Sequence, residues 1–192
     1  MVERSLILAS ASPRRRELLD RCGVPFTVVA SAIDESVEGD EAPADYVLRV
    51  ARAKAVAVHR RHAGSFVLGA DTSVVAAGRI LGKPADADQA RDMLRQLSGR
   101  CHEVISAVVL LSPDGRKTER LSITQVEFGL VHEAWIDAYV ATGDCMDKAG
   151  AYGIQNQAGL WIRRLTGSYT GVVGLPLFET AQLLREAGLV EF

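Results

Sequence analysis

The sequence predicts an α/β fold: a mixed, twisted central sheet with helices packed on it. Three observations carry this expectation. Apolar runs of strand length alternate with stretches of helical periodicity. The two longest strand runs follow one another around Pro113-Asp114-Gly115, a meander that a purely parallel sheet does not contain. With 192 residues, 48% of them apolar and 24% charged, the chain can bury a core as one domain over residues 1–192.

The elements follow in order. Leu6-Ile7-Leu8-Ala9 is a short buried strand. Ser12 is an N-cap and Pro13 a first helical residue, so a helix runs over 13–22 and Gly23 closes it. Residues 24–30 form a second strand, and 34–43 an acidic loop. Val47, Val50, Ala51 and Val58 share one face of a helix over 44–61. Residues 66–70 form a buried strand that ends at Asp71, and 74–81 a small hairpin around Ala77-Gly78. A helix over 86–97 stops at Ser98-Gly99, and strands 102–111 and 118–128 make the meander. A helix over 132–141, a Gly-rich loop over 142–159, a strand over 160–166 and a helix from Pro176 to Gly188 complete the chain.

Composition excludes several classes of function. Twenty-two Lys and Arg stand against 24 Asp and Glu, a net charge of −2, which argues against a nucleic-acid coat or a polybasic membrane binder. No apolar run reaches the ~18 residues of a membrane helix, and Leu6–Ala9 is shorter than the ~7 residues of a secretory h-region. Three separated cysteines, Cys22, Cys101 and Cys145, suit a reducing cytoplasm. The four histidines show no metal-ligand spacing.

Several positions break a local rule. Arg14, Arg15 and Arg16 crowd the first turn of a helix, where the dipole disfavours cations. With the hydroxyls of Ser10 and Ser12 and free backbone N–H groups they make a phosphate cradle; otherwise they pair with Glu17, Asp20 or Asp34. Asp71 and Thr72 follow an apolar strand, where a carboxylate holds a divalent cation, takes a proton from water, or merely forms a turn. Gly78-x-x-x-Gly82-Lys83 lacks the spacing and the hydroxyl of a P-loop, which leaves Lys83 as a phosphate contact or a surface lysine. Lys54 lies on the apolar stripe of its helix, so it snorkels or meets an internal anion. Gln155, in a small-residue loop, offers a donor and an acceptor for a nucleobase edge, unless the loop is simply flexible.

Six segments then stand in a recognisable order: LASASPRRRELL, IDE ahead of ARAKA, VLGADTSV, LGKP, DKAGAYGIQ and GSYTGVVGLPLFET. In these the chain resembles, essentially end to end, the Maf family of nucleoside triphosphate pyrophosphatases. The resemblance implies an inosine-triphosphatase-like fold with two lobes around a cleft, and hydrolysis of a nucleoside triphosphate to the monophosphate and pyrophosphate with Mg²⁺ or Mn²⁺. It implies Asp71 as proton acceptor and Glu35 as its acidic partner at the metal, with Lys83 completing the catalytic group. Ser10, Arg15, Lys54 and Lys83 would hold the phosphates. Arg15, Thr72 and Gln155 resemble the dTTP/UTP type; a 7-methyl-GTP or modified-nucleotide pyrophosphatase and a nucleotide-binding regulator of septum formation are the alternatives. A homodimer is implied as well, and neither a nucleic acid nor a membrane as partner. Two departures border the expected base pocket: Asn156 where the family commonly has Gly, and Gly143-Asp144-Cys145-Met146 ahead of Asp147, where a Leu usually stands directly before Asp147.

Overall fold

The computed structural model describes residues 5–191. Seven strands form one open sheet in the order β2-β1-β3-β5-β6-β7, with β4 paired to β3 beside this path. The strands are β1 (Leu6–Leu8), β2 (Phe26–Val28), β3 (Phe66–Ala76), β4 (Arg79–Leu81), β5 (Cys101–Leu111), β6 (Lys117–Phe128) and β7 (Ile162–Thr166). The helices are α1 (Pro13–Asp20), α2 (Pro43–His59), α3 (Ala87–Leu97), α4 (Glu133–Ala141), α5 (Tyr169–Val173) and α6 (Leu177–Glu186). β1 runs parallel to both β2 and β3, whereas β3, β5, β6 and β7 are antiparallel neighbours, so the sheet is mixed as expected.

Three cores flank it. α2 covers one face of the β1–β3–β5 half with Val47, Val50, Ala51, Ala55 and Val58, the stripe read from the sequence. The opposite face packs Leu18 and Leu19 of α1 with Leu183 and Leu184 of α6. A third core holds α3, α4 and the aromatic residues Phe128, Tyr139, Tyr152 and Trp161 at the other end of the molecule. Residues of all three cores, among them Tyr46, Val173 and Tyr152, border one cleft.

One expectation needs correction. Asp71 does not end a strand: β3 continues for 11 residues to Ala76, because β5 pairs with it continuously from Val67 to Val75. The opposite edge of β3 is interrupted instead. β1 pairs with it only as far as Leu68, and β4 begins only at Val74. Between them β3 has an edge that no strand covers, and Asp71 lies in that gap, just beyond the carboxyl end of β1. The general rule that ligands gather past the carboxyl ends of parallel strands therefore holds through β1 rather than β3.

Other boundaries shift by a few residues. The second strand is three residues long rather than seven. Residues 157–161, read partly as strand, form a 3-10 turn ahead of β7. α5, absent from the sequence reading, is a five-residue turn capped by Ser168, whose side chain accepts from Gly171 N–H. Among the described residues no helix is long and apolar enough to cross a membrane.

Candidate active site

The site starts from a glycine. A Cβ on Gly69 would come within 2.4 Å of the Ala51 carbonyl oxygen, so only glycine lets α2 lie this close on β3. Gly69 and Asp71 share a strand face, and Lys54 is one helical turn beyond Ala51. The close approach therefore places Lys54 Nζ 2.8 Å from Asp71 Oδ1. Both side chains belong to residues 5% exposed, so neither charge is balanced by bulk water. Lys54 Nζ also lies 2.9 Å from Glu35 Oε2, which reaches in from the acidic loop. The lysine on the apolar stripe thus meets internal anions and does not snorkel.

That loop is strapped to α2. Tyr46 donates its hydroxyl proton to the Glu35 carbonyl at 2.8 Å, and burial pushes this phenol up to about 12. Arg49 donates to Ser36 O at 2.8 Å and to Glu41 Oε2 at 2.9 Å, and pairs with Glu38 at 3.2 Å. These contacts fix where Glu35 stands although its own side chain is half exposed.

The arginine-rich turn faces the same gap. Ser12 caps α1 by accepting from Arg15 N–H, as expected. Arg15 donates through Nε to the Gly174 carbonyl at 2.8 Å and through Nη1 to Ser10 Oγ at 3.4 Å. Its Nη2 is 3.9 Å from Asp71 Oδ1. Burial pulls this guanidinium below its ordinary value, against the opposing pull of the Asp71 and Glu35 charges. Arg14 crosses the cleft to Asp147 at 3.2 Å, and Arg16 is exposed. The three arginines thus take separate courses, and none pairs with Glu17, Asp20 or Asp34.

A cleft of about 1280 Å³ joins these groups to Thr72, Lys83 and Gln155. The structure therefore brings Ser10, Arg15, Glu35, Lys54, Asp71, Thr72, Lys83 and Gln155 to one cavity and leaves Arg16 outside it. Their states differ. Lys83 and Gln155 are exposed and make no hydrogen bond or ion pair among the described residues. The Thr72 hydroxyl is engaged within the protein, 2.9 Å from Ser106 Oγ and 3.3 Å from the Gly174 carbonyl, so Thr72 helps fix the carbonyl that holds Arg15.

Sequence reasoning missed a second charged group on the far wall. Lys148 Nζ sits 3.0 Å from Asp144 Oδ1 and 2.7 Å from Asp147 Oδ1. Asp144 also accepts from Tyr139 at 2.8 Å and from Asn156 Nδ2 at 2.8 Å. Burial alone would raise the Asp144 carboxyl, but the hydrogen bonds from Lys148, Tyr139 and Asn156 outweigh it and hold the group below its ordinary value. The i,i+4 spacing of Asp144 and Lys148 was the available signal, hidden because this segment reads as loop.

Among the described residues no cluster of three or more His, Cys, Asp or Glu side chains converges on a point. Asp71 and Glu35, both in contact with one ammonium, nevertheless fit a Mg²⁺-type site. Such ions are commonly held by one or two carboxylates, with phosphates and water supplying the remaining ligands.

The profile of the family described as Maf-like protein matches residues 5–187. The chain belongs to the Maf family. Its curated relatives include a dTTP/UTP pyrophosphatase of Hahella chejuensis, 49% identical over 97% of this chain and 94% of the relative. Another of that name, from Anaeromyxobacter dehalogenans, is 52% identical over 95% of this Maf chain and 94% of its own length. A HAM1 protein from Coxiella burnetii has the same fold at a TM-score of 0.51, covering 96% of this chain and 100% of that one at 17% identity. That likeness concerns the fold alone, and it agrees with the inosine-triphosphatase-like architecture expected for a Maf protein.

Proposed function

We propose that this Maf protein hydrolyses nucleoside triphosphates to the monophosphate and pyrophosphate, with dTTP and UTP as substrates, and that residues 1–192 act as one catalytic unit. The observation that carries the reading is the buried Lys54 between Asp71 and Glu35, with Arg15 beside them, all lining a cleft large enough for a nucleotide. The shared name of the curated relatives at about half identity supports the substrate class. The scattered free cysteines fit a reducing cytoplasm.

In this reading water attacks the α-phosphorus. A new P–O bond forms, the bond from the α-phosphorus to the α–β bridging oxygen breaks, and pyrophosphate departs. Asp71 accepts the proton that water loses. Lys54 fixes the direction of Asp71, because a second carboxylate, Glu35, pins the ammonium from the other side. Arg15, anchored through Nε to Gly174, keeps its Nη groups for phosphate oxygens, and Ser10 limits their rotation. Lys83, which lines the cleft and has no partner among the described residues, is free to meet the departing pyrophosphate as a point charge. Asp71 and Glu35 would hold a divalent cation, which when bound neutralises charge on the phosphate oxygens. Positioning and charge stabilisation supply most of the rate.

The test is product analysis over a panel of nucleotides with Mg²⁺ or Mn²⁺. Stoichiometric pyrophosphate and monophosphate from dTTP and UTP are expected. Orthophosphate as the primary product, or nucleotide binding with no turnover, rejects the reading.

A further inference from the structure

One departure from the family pattern touches the segment that carries the other. Asn156 stands where Gly is common, Asp144 lies in the altered segment ahead of Asp147, and Asn156 Nδ2 donates to Asp144 Oδ1 at 2.8 Å. Asp144 is itself immobilised: Tyr139 donates to its other oxygen at 2.8 Å, and Lys148 Nζ lies 3.0 Å from Oδ1. Lys148 is in turn packed under Gly153, where a Cβ would come within 2.7 Å of Lys148 Cε. The carboxylate is ionised in this setting, since its hydrogen bonds hold it below its ordinary value.

An ionised carboxylate accepts and never donates. It therefore fixes which way the Asn156 amide is turned. Flipping the amide would set Oδ1 against the Asp144 oxygen with no proton between them. Asn156 Oδ1 makes no hydrogen bond among the described residues, and Asn156 lines the cleft. Gln155 beside it also lines the cleft but has no partner, so its amide can turn and present either end. The two neighbouring amides are chemically similar, and only one is held in a single orientation.

Uracil and thymine carry a donor at N3 and an acceptor at position 4. Cytosine carries a lone pair at N3 and an amino group at position 4. An amide free to turn matches either pattern, whereas an acceptor held in one orientation opposite N3 meets a proton in uracil or thymine and a lone pair in cytosine. We infer that Asn156, oriented by Asp144, is a specificity-determining residue that accepts from N3–H of a uracil or thymine base and rejects cytosine. The inference rests on the pyrimidine nucleotide reading above and assigns its base discrimination to a residue outside the family's usual pattern.

The experiment is kcat/KM for UTP and CTP, by pyrophosphate release with Mg²⁺, in the wild type, Asn156→Ala and Asp144→Asn. The sugar and triphosphate are identical in the two substrates, so loosening of the loop lowers both values together and leaves their ratio alone. The wild type is expected to favour UTP. Asn156→Ala, at an exposed position that the fold does not need, should lower the UTP:CTP ratio on the order of fivefold, the worth of one net hydrogen bond. Asp144→Asn keeps an acceptor for Tyr139 but can also donate, which permits the flipped amide, so the ratio should fall there too. A ratio within twofold of the wild type in either variant, or a wild type indifferent to the base, overturns this inference alone. No pyrophosphate release from any nucleotide overturns the proposed function, and this inference with it.

Discussion

Two lysines in this molecule each bridge a pair of carboxylates at the edge of the same cleft, and they are built for different ends. Lys54 contacts Asp71 and Glu35 at 2.8 and 2.9 Å, and Lys148 contacts Asp144 and Asp147 at 3.0 and 2.7 Å. The difference lies in what else the carboxylates bind. Asp144 accepts from Tyr139 and Asn156 as well as Lys148, so most of its acceptor capacity is taken up and it serves as a hub for its loop. Asp71 has Lys54 at hydrogen-bonding distance and Arg15 only at 3.9 Å, which leaves acceptor capacity facing the cavity. A buried carboxylate left under-coordinated costs stability, and that cost is expected where function requires it. Capacity that remains unused in the folded protein, more than charge or burial, separates the proposed chemical centre from the Lys148 group.

The sharpest way to break this contrast is Asp71→Asn. The amide keeps the size of the side chain and removes its capacity to take a proton. Turnover should fall by about a thousandfold while the fold persists. Steady-state kinetics and a near-UV circular dichroism spectrum check both halves, and near-normal kcat in a folded variant removes Asp71 from its proposed role.

Next comes the stability of the two centres. Lys54→Met removes the hydrogen-bonding partner of the largely buried Asp71 and should cost about 3 kcal/mol in chemical denaturation. Lys148→Met should cost less, about 1–2 kcal/mol, because Asp147 is mostly exposed and Asp144 keeps two other donors. Equal losses at the two lysines would show that saturation of the partner carboxylates does not govern the cost.

The two centres were unequally legible in the sequence. Lys54 betrayed itself by lying on an apolar stripe, and Arg15 by opposing a helix dipole; each was a local conflict with a chemical resolution. Asp71 was found on the wrong argument, since its strand does not end there. The gap beside it arises because β1 and β4 leave part of one edge bare, a matter of register between segments far apart in the chain. The Lys148 centre broke no rule. Its contacts join residues of a Gly-rich loop whose course no periodicity reports, and Asn156 reaches Asp144 across 12 positions. α5 was missed because Gly171 and the β-branched Thr170, Val172 and Val173 oppose helix formation; Ser168 capping and packing against α1 and β5 override them.

The wall that carries Lys148 also rests on a titratable side chain. His102 is buried among Phe128 and Tyr152, with Nε2 2.8 Å from the Tyr152 hydroxyl and Nδ1 without a partner. Burial pulls its pKa down to about 4 from 6.5. The folded state therefore binds this proton less readily than the unfolded state. Stability from this group is complete above pH ~6.5 and is lost as pH falls from there through ~4, by about 3 kcal/mol. His102→Gln, which can still bond Tyr152, should flatten the pH dependence of denaturation in that window. An unchanged slope would assign it to other groups.

The smallest effect expected lies on the Lys54 side, where hydroxyls and not charges hold the machinery. Ser106 is buried on β5 and donates to the Gly171 carbonyl at 2.7 Å, and its oxygen meets Thr72 Oγ1 at 2.9 Å. Thr72 and Arg15 in turn share the Gly174 carbonyl. Ser106→Ala removes one of the two donors to the Gly171 carbonyl, leaving the Gly174 N–H at 3.1 Å, which should cost about 1 kcal/mol. It should also raise KM for the nucleotide a few-fold more than it changes kcat, because α5 no longer holds Gly174 firmly under Arg15. Thermal denaturation reads the first effect and steady-state kinetics the second. A loss of stability with KM unmoved would mean that the hydroxyl pair braces the sheet and does not reach the arginine.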